Sequence, residues 1–358
     1  MDYFKEREAK ALKVLDEIRA TLPPFCGRFF TGLAHNTSPL TRLGYAYDLR
    51  IFFEYLTNQV EGFTDKKIHD IVTSDLDLLE TWQIEMYLEY LTVRTREDSL
   101  ASAQPITNEN QAKMRKLATL RSFFAYYFKN ELISKNILPN VDMPKIKDKP
   151  IVRLEGEEIR DILLSAYEEY HALAGNDFNR RYISLRDYTI LLFFLSTGIR
   201  ISELVGLDIA DINLKDGSFK ITRKGGARAI LFMPTDLRDQ LPEYLEIYAE
   251  TFGSSLNPQS PLWLGNKGTR LTTRAVQLLV KKHAEVATPL KKITPHKLRS
   301  TYGTQLYRDT KDIYLVADML GHRDVNTTKK HYAALDEDIK RKAASEFKLI
   351  KNTKSDEE

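Results

Sequence analysis

Apolar positions recur every three or four residues in two long stretches of the N-terminal region, which predicts amphipathic helices. The first stretch contains Tyr45, Leu49, Phe52, Phe53 and Leu56, and the second contains Met114, Leu117, Leu120, Phe124 and Phe128. Ser38 and Pro39 precede the first stretch, where a hydroxyl cap and a first-turn proline favour a helix start. Residues 96–110 are polar and are interpreted as a loop. The N-terminal region is therefore predicted to be helical.

The C-terminal half combines helical patterns with one β-rich stretch. Residues 154–170 and 186–198 read as helices, and the helical pattern resumes at Thr272. Between them, residues 211–234 alternate around Asp216-Gly217 and Gly225-Gly226, which predicts a small antiparallel sheet with tight turns. No βαβ series is present. The predicted fold class is mainly α, with two domains.

A basic segment separates these two regions. Residues 139–158 contain three prolines and no amphipathic pattern, which is typical of a linker. We place a helical domain at 1–142, the linker at 143–153, a second domain at 154–350 and a disordered tail at 351–358. The basic residues of the linker are Lys145, Lys147, Lys149 and Arg153. They suit either a solvated connector or a segment that runs beside a phosphate backbone.

Composition excludes several classes of protein. A net charge of +3, from 53 basic and 50 acidic residues among 358, permits a nucleic-acid partner without requiring one. Cys26 is the only cysteine, so no intrachain disulfide can form and cysteine-based zinc sites are excluded. The charged N-terminus lacks a signal-peptide pattern, and no apolar run spans a bilayer. We therefore expect a cytoplasmic protein that does not enter a membrane.

Two basic side chains lie at predicted turns of the C-terminal half. Arg200 follows Gly198 at the end of an apolar helix, before a new helix in which Ser202 is a candidate cap and Glu203 could brace the guanidinium. Lys224 lies at the tip of the predicted hairpin. Taken alone, a surface ion pair explains the arginine and a solvated side chain explains the lysine. Arg223 and Arg228 make the same hairpin basic.

His296 and Arg299 lie three residues apart, on one face of a helix that Thr294 and Pro295 are expected to begin. Arginine stays protonated and rarely binds a metal, so this pair suits an anion better than a cation. A packed histidine beside a surface arginine is an equally good explanation of this motif alone.

The stretch from Leu320 to Leu335 contains His322, His331 and Tyr332. These residues do not have a recognised zinc spacing, and the chain has no phosphate-binding glycine loop. Attack of a tyrosine on a phosphodiester would instead give every candidate residue a role. Two arginines would neutralise phosphate oxygens, histidines would manage protons, and a lysine would protonate the departing oxygen. Tyrosine has a pKa of about 10, so it needs such a basic pocket to react at neutral pH.

Four motifs in order, TGIRISEL, TRKGG, TPHKLRSTYGTQL and LGHRDVNTTKKHY, resemble those of the tyrosine recombinase (phage integrase) family. The resemblance covers essentially the whole chain and is closest to the single-recombinase Xer proteins of the XerS kind. It implies a helical, SAM-like core-binding domain and an α-rich catalytic domain with a small antiparallel sheet. The catalytic residues it implies are Arg200, Lys224, His296, Arg299, His322 and Tyr332, the last as nucleophile.

Two positions depart from the pattern of many Xer members. Tyr332 lies ten residues after His322, where many members have nine, and His331 at the ninth position cannot replace a tyrosine. Ser300 stands where many members have a second histidine. Neither change removes one of the six catalytic candidates.

The resemblance implies DNA strand exchange through a 3′-phosphotyrosine, with no cofactor and no metal. The implied partners are double-stranded DNA with a specific recombination site and a homotetramer formed through exchange of a C-terminal helix, whose stripe contains Ile339, Ala343 and Phe347. It leaves open whether a DNA translocase activates the protein. Further DNA contacts are expected from the basic residues of the linker, from Arg223 and Arg228, and from Lys113, Arg115, Lys116 and Arg121.

Three other functions remain as alternatives. A transposon or phage integrase of the same family is the nearest one. A type IB topoisomerase shares the tyrosine chemistry but relaxes DNA without exchanging partners. A DNA-binding regulator that has lost catalysis is the third, although all six candidate residues are present.

Overall fold

The computed structural model describes residues 3–94, 106–107, 109–145, 152–172, 178–223, 225–253, 257–321 and 324–325. The chain divides into two compact units, Met1–Lys149 and Pro150–Glu358. Among the described helices, none is long and apolar enough to cross a bilayer.

The N-terminal unit is built from helices. They are α1 (Tyr3–Arg19), α2 (Cys26–Gly32), α3 (Pro39–Gln59), α4 (Thr81–Tyr90) and α5 (Asn110–Lys129). Two short strands, β1 (Val93–Arg94) and β2 (Ile106–Thr107), pair antiparallel. The sequence did not predict this pairing, because two-residue strands leave no alternating pattern to detect.

Aromatic rings fill the core of this unit, where α3 packs against α1 and α5. The rings of Phe29 and Phe123 meet edge to face with centroids 5.1 Å apart, and those of Phe52 and Tyr87 do so at 5.3 Å. Ser38 caps α3 as expected, since its side chain accepts a hydrogen bond from the amide of Thr41 at 3.3 Å. These contacts place the apolar face of α3 at the centre of the unit.

The C-terminal unit contains seven α-helices among its described residues. They are α6 (Gly156–Ala172), α7 (Phe178–Thr197), α8 (Ile201–Val205), α9 (Thr235–Phe252), α10 (Thr273–Ala287), α11 (Pro295–Thr310) and α12 (Ile313–Leu320). Helix α7 is buried over most of its described circumference and packs against α6, α9 and α11. A helix that is buried on most sides lies at the centre of its domain, so α7 forms the centre of this unit.

A three-stranded antiparallel sheet accompanies these helices. Its strands are β3 (Ile212–Asn213), β4 (Ser218–Thr222) and β5 (Arg228–Phe232), in that order. Gly217 and Gly226 have φ values of 69° and 82°, which the tight turns require and glycine adopts readily. The predicted fold class, mainly helical with one small antiparallel sheet, is confirmed in this unit.

Candidate active site

The corner between α7 and α8 places Arg200 directly before a short helix. Glu203 accepts hydrogen bonds from the Arg200 backbone N–H at 2.9 Å and from its Nη1 at 2.8 Å. The expectation that Ser202 caps this helix was wrong, because α8 already begins at Ile201. The residue at the N-cap is Arg200, and its N–H donates to the carboxylate of Glu203. Glu203 is only 3% exposed, so it fixes the guanidinium from the protein interior.

Arg299 lies in α11 and is buried, with 6% of its surface exposed. Its Nη1 donates to the carbonyl of Gly198 at 2.5 Å, and its Nη2 donates to the carbonyl of Leu320. A buried charge that has lost its water needs such acceptors to remain stable. Arg299 therefore links α11 to the end of α7 and to the end of α12.

The C-terminal end of α12 is the place where the two arginines meet. Nη2 of Arg200 donates to the carbonyl of Gly321 at 2.9 Å, one residue after the carbonyl that Arg299 binds. The last carbonyls of a helix have no partner inside it and carry the negative end of its dipole, so they stabilise nearby cations. The structure thus brings Arg200 and Arg299 together although they come from different elements.

The charge balance of this cluster favours an anion. Arg200 and Arg299 bring two positive charges to this helix end, Glu203 forms an ion pair with Arg200, and the Arg200 side chain is 33% exposed. Guanidinium groups bind phosphate and carboxylate oxygens through pairs of hydrogen bonds, and a fixed positive site stabilises charge that develops on such a ligand. The cluster is chemically suited to a phosphodiester.

Tyr302 lies near Arg299 and Gly198, and it was not predicted from the sequence as part of the site. Its ring packs against Gly198, where φ is 62° and an added Cβ would come under 3.0 Å from the ring. Burial raises the pKa of Tyr302, and the charge of Arg299 only partly opposes this effect. The phenol is therefore held protonated at neutral pH, so it packs against the site without adding negative charge.

Of the four remaining catalytic candidates, the structure describes one, His296. His296 is exposed in the first turn of α11, one turn before Arg299, and its carbonyl accepts a hydrogen bond from Oγ of Ser300 at 3.0 Å. Lys224, His322 and Tyr332 lie outside the described residues. Ile339, Ala343 and Phe347, on which a C-terminal helix was predicted, also lie outside them.

Helix α5 carries four of the basic residues expected to contact DNA, and each has contacts inside the N-terminal unit. Lys113 donates to Oγ1 of Thr92 at 2.6 Å, and Arg115 forms an ion pair with Asp48. Lys116 is 5% exposed, and its charge helps to lower the pKa of Asp48 against the larger effect of burial. Arg121 donates to the carbonyl of Val141 at 2.7 Å. The charges of Lys113 and Arg115 lie nearer to solvent than that of Lys116.

The other basic candidates lie near the linker and on the hairpin. Lys145 is exposed, while Arg153 forms an ion pair with Glu155 at 3.3 Å. Arg228 is exposed at the start of β5, whereas Nη2 of Arg223 donates to the carbonyl of Asp318 in α12 at 3.3 Å. Lys147 and Lys149 lie outside the described residues. The two hairpin arginines therefore have different surroundings.

Sequence reasoning did not identify Gly321 as part of the site. Gly321 ends α12 with a φ of 59°, and its carbonyl binds Arg200. The signal was present, because a glycine directly after an apolar helical run is typical of a helix C-terminus. What the sequence does not contain is the identity of the side chains that pack on that end, since they come from distant segments.

The chain is similar to known proteins in both sequence and structure. Residues 157–338 match the model of the phage integrase family. The tyrosine recombinase XerC of Caldanaerobacter subterraneus subsp. tengcongensis is 31% identical over 352 residues, which cover 97% of this chain and 91% of the relative. The tyrosine recombinase XerS of Streptococcus gordonii is 29% identical over 347 residues, which cover 90% and 95%.

A solved structure supports the fold class. The XerH site-specific recombinase bound to palindromic difH substrate matches with a TM-score of 0.61 and 22% sequence identity. The match covers 87% of this chain and 81% of that chain. The predicted fold, helical with a small antiparallel sheet in the C-terminal region, is confirmed by this likeness.

Proposed function

We propose that this chain, which belongs to the phage integrase family, cleaves and rejoins DNA through a 3′-phosphotyrosine intermediate. It is a site-specific tyrosine recombinase. The observation that carries the proposal is the convergence of Arg200 and Arg299 on consecutive carbonyls at the end of α12. That helix end directly precedes His322 in the sequence, and Tyr332 follows ten residues later. A phosphate bound by the two arginines would therefore lie close to the start of the segment that carries the nucleophile.

The chemistry divides among six residues. Arg200 and Arg299 bind the non-bridging oxygens of the phosphate and stabilise the charge that builds up in the transition state. The hydroxyl of Tyr332 attacks phosphorus, while His296 and His322 hydrogen-bond to the phosphate and accept or return protons. Lys224 protonates the departing 5′-oxygen. The free 5′-hydroxyl of a partner strand then attacks the phosphotyrosine, so one ester replaces another and no nucleotide is consumed.

Both parts of the chain are proposed to contact DNA. Residues 1–142 form the core-binding domain, 143–153 the basic linker and 154–350 the catalytic domain, with a tail at 351–358. Phosphate contacts are assigned to the basic residues of the linker, to the basic residues of α5 other than Lys116, and to Arg228. Lys145 and Arg228 support this assignment because their side chains are exposed, whereas Lys116 is buried in its own unit.

We further propose that the protein acts as a homotetramer on two synapsed sites, through exchange of a C-terminal helix that contains Ile339, Ala343 and Phe347. Both relatives described above bear Xer names, which favours an Xer-like recombinase over a transposon or phage integrase of the same family. A DNA translocase would be an activator of this assembly rather than part of its chemistry.

A covalent trap tests the proposal and supplies the unknown DNA site. The protein is incubated with a pool of nicked duplexes of random sequence, in which the strand beyond the cut is short enough to dissociate. We expect a denaturation-resistant adduct that Tyr332→Phe does not form, and sequencing of the trapped DNA gives the preferred site. A labelled partner duplex should then be joined to it.

Three outcomes would contradict the proposal. An adduct formed by Tyr332→Phe would mean that another residue is the nucleophile. The absence of an adduct, under conditions where the parent protein binds DNA, would indicate a regulator without catalysis. Relaxation of supercoiled DNA without joining of partner strands would indicate a topoisomerase.

A further inference from the structure

The side chain of Arg223 is directed at another element of the protein. Arg223 follows β4, and its Nη2 donates to the carbonyl of Asp318 in the last turn of α12 at 3.3 Å. Its Nε is buried and has no hydrogen-bond partner among the residues that the structure describes. An unpaired buried donor costs free energy, so packing around the guanidinium must hold it in place.

Gly321 provides the space for this packing. A Cβ added at Gly321 would lie under 3.0 Å from Nη1, Cζ and Nε of Arg223. Gly321 also has a φ of 59°, a conformation that side chains rarely adopt. The end of α12 is therefore shaped so that the guanidinium rests directly on its backbone.

The backbone of Arg223 meanwhile closes the hairpin between β4 and β5. Its N–H donates to the carbonyl of Ala227 at 2.7 Å, and its carbonyl accepts from the N–H of Gly226 at 3.0 Å. One residue thus has its main chain in the hairpin and its side chain on α12. Lys224 is the next residue in the sequence.

Three arginines consequently share one helix end. Arg200 binds the carbonyl of Gly321, Arg299 binds that of Leu320, and Arg223 binds that of Asp318. Arg200 and Arg299 are the phosphate-binding candidates, whereas Arg223 joins the lysine-bearing hairpin to the same point. Three arginine side chains from separate stretches of sequence are thus held at the end of α12.

We propose that Arg223 is a positioning residue for DNA cleavage, which fixes the Lys224 hairpin to the helix end that holds Arg200 and Arg299. The proposal rests on the function proposed above. It gives Arg223 a role inside the catalytic unit in place of the phosphate contact expected from its charge alone.

The chemistry of cleavage makes this role measurable. As the bond from the Tyr332 oxygen to phosphorus forms, the bond from phosphorus to the 5′-oxygen breaks, and that oxygen takes a proton from the Lys224 ammonium group. The proton of the tyrosine hydroxyl passes to a histidine or to solvent. A sulfur in the bridging 5′ position leaves as a thiolate without this proton, because a thiol has a pKa of about 8.5, far below that of an alcohol. A misplaced lysine therefore slows cleavage of the oxygen substrate selectively.

The experiment compares single-turnover cleavage of two nicked duplexes of the trapped sequence, one with a 5′-oxygen and one with a 5′-sulfur at the cut. The variants are Arg223→Ala, Arg223→Gln and Lys224→Ala. The matched control is Arg238→Ala, since exposed Arg238 also donates to a backbone carbonyl at 3.3 Å, that of Lys215. Affinity for the uncut duplex is measured at several salt concentrations for each variant.

We expect both Arg223 variants to cleave the oxygen substrate about 10- to 100-fold more slowly than the parent, because a misplaced general acid loses most of its effect. Their rates on the sulfur substrate should return close to the parent rate, as for Lys224→Ala, while Arg238→Ala changes neither rate. The ratio of the two rates is measured within each variant, so a partly unfolded preparation lowers both rates and leaves the ratio unchanged.

Three results would overturn the proposal. Equal slowing on both substrates would show a general structural role, and unchanged rates would show no role. A loss of affinity with a salt slope reduced by about 1 would make Arg223 a phosphate contact. Failure of the proposed function is distinct, because then the parent protein forms no adduct or Tyr332→Phe still forms one.

Discussion

Glu203 is 3% exposed, and both of its carboxylate oxygens accept hydrogen bonds from Arg200. A carboxylate this deeply buried is retained only where charged partners satisfy it. The pair therefore sets the direction of the Arg200 side chain before any ligand binds. At the scale of single residues, the orientation of Arg200 thus depends on Glu203.

Replacement of Glu203 by alanine should affect both stability and cleavage. We expect the free energy of unfolding to fall by about 1–3 kcal/mol, because the amide and guanidinium of Arg200 lose their charged acceptor. Adduct formation should also slow, since the guanidinium is no longer oriented. Thermal unfolding and the rate of adduct formation measure the two effects.

Glu285→Ala is the control for this substitution. Glu285 forms an ion pair with Lys281 at 3.3 Å, but the two side chains are 61% and 64% exposed, and exposed pairs contribute less than about 0.5 kcal/mol. If both variants unfolded at the same temperature and cleaved at the parent rate, Glu203 would have no orienting role.

The end of α12 is the element on which the site is assembled. Its glycine, Gly321, has a positive φ and lies against the guanidinium of Arg223, whereas Gly253 ends α9 with a φ of 62° and no described heavy atom within 4 Å of an added Cβ. The two positions share the same backbone conformation and differ in what surrounds them. They therefore allow backbone strain to be separated from packing.

Replacing each glycine by alanine separates the cost of backbone strain from the cost of lost packing. Gly253→Ala should cost about 1 kcal/mol, the strain of a left-handed residue with a side chain. Gly321→Ala should cost about 1–3 kcal/mol more, because its Cβ displaces Arg223, and it should also slow cleavage. Equal unfolding temperatures for the two variants would mean that Arg223 does not pack closely on the helix end.

Elements with strong periodicity were predictable, and contacts between distant segments were not. Leu117, Leu120 and Phe124 are buried as the stripe on α5 predicts. Phe128 was wrongly placed on that stripe, because the 3.6-residue period turns it outward: it is 49% exposed, while Tyr127 is fully buried. The sequence indicated that Arg200 and Arg299 act together, but only the fold shows that carbonyls of α12 hold them.

At the scale of the whole molecule, a net charge of +3 is too small to attract DNA over long distances. Local clusters of basic residues must supply the attraction, and only side chains that reach solvent can displace the counterions of DNA. Lys145 is exposed and Lys116 is 5% exposed, so their charges should not contribute equally.

Salt dependence of DNA affinity should distinguish these two lysines. Lys145→Ala is expected to lower the slope of log affinity against log salt by about 1, the amount that one phosphate contact contributes. Lys116→Ala should leave the slope unchanged and reduce the thermal stability of the N-terminal unit. The measurement uses the uncut duplex of trapped sequence, and a lower slope for Lys116→Ala alone would reverse the assignment.

Besides the carboxylate of Glu203, which holds Arg200, the described acceptors of the three arginines are main-chain carbonyls. They belong to Asp318 and Leu320 in α12, to Gly321 directly after it, and to Gly198 directly after α7. A main-chain carbonyl is present whatever side chain its residue carries, so substituting that side chain does not remove the acceptor. Sequence drift along the apolar face of α12 can therefore proceed while the arrangement persists. Genetic sensitivity concentrates instead on the arginines, on Glu203, and on Gly198 and Gly321, whose missing side chains leave room for their neighbours.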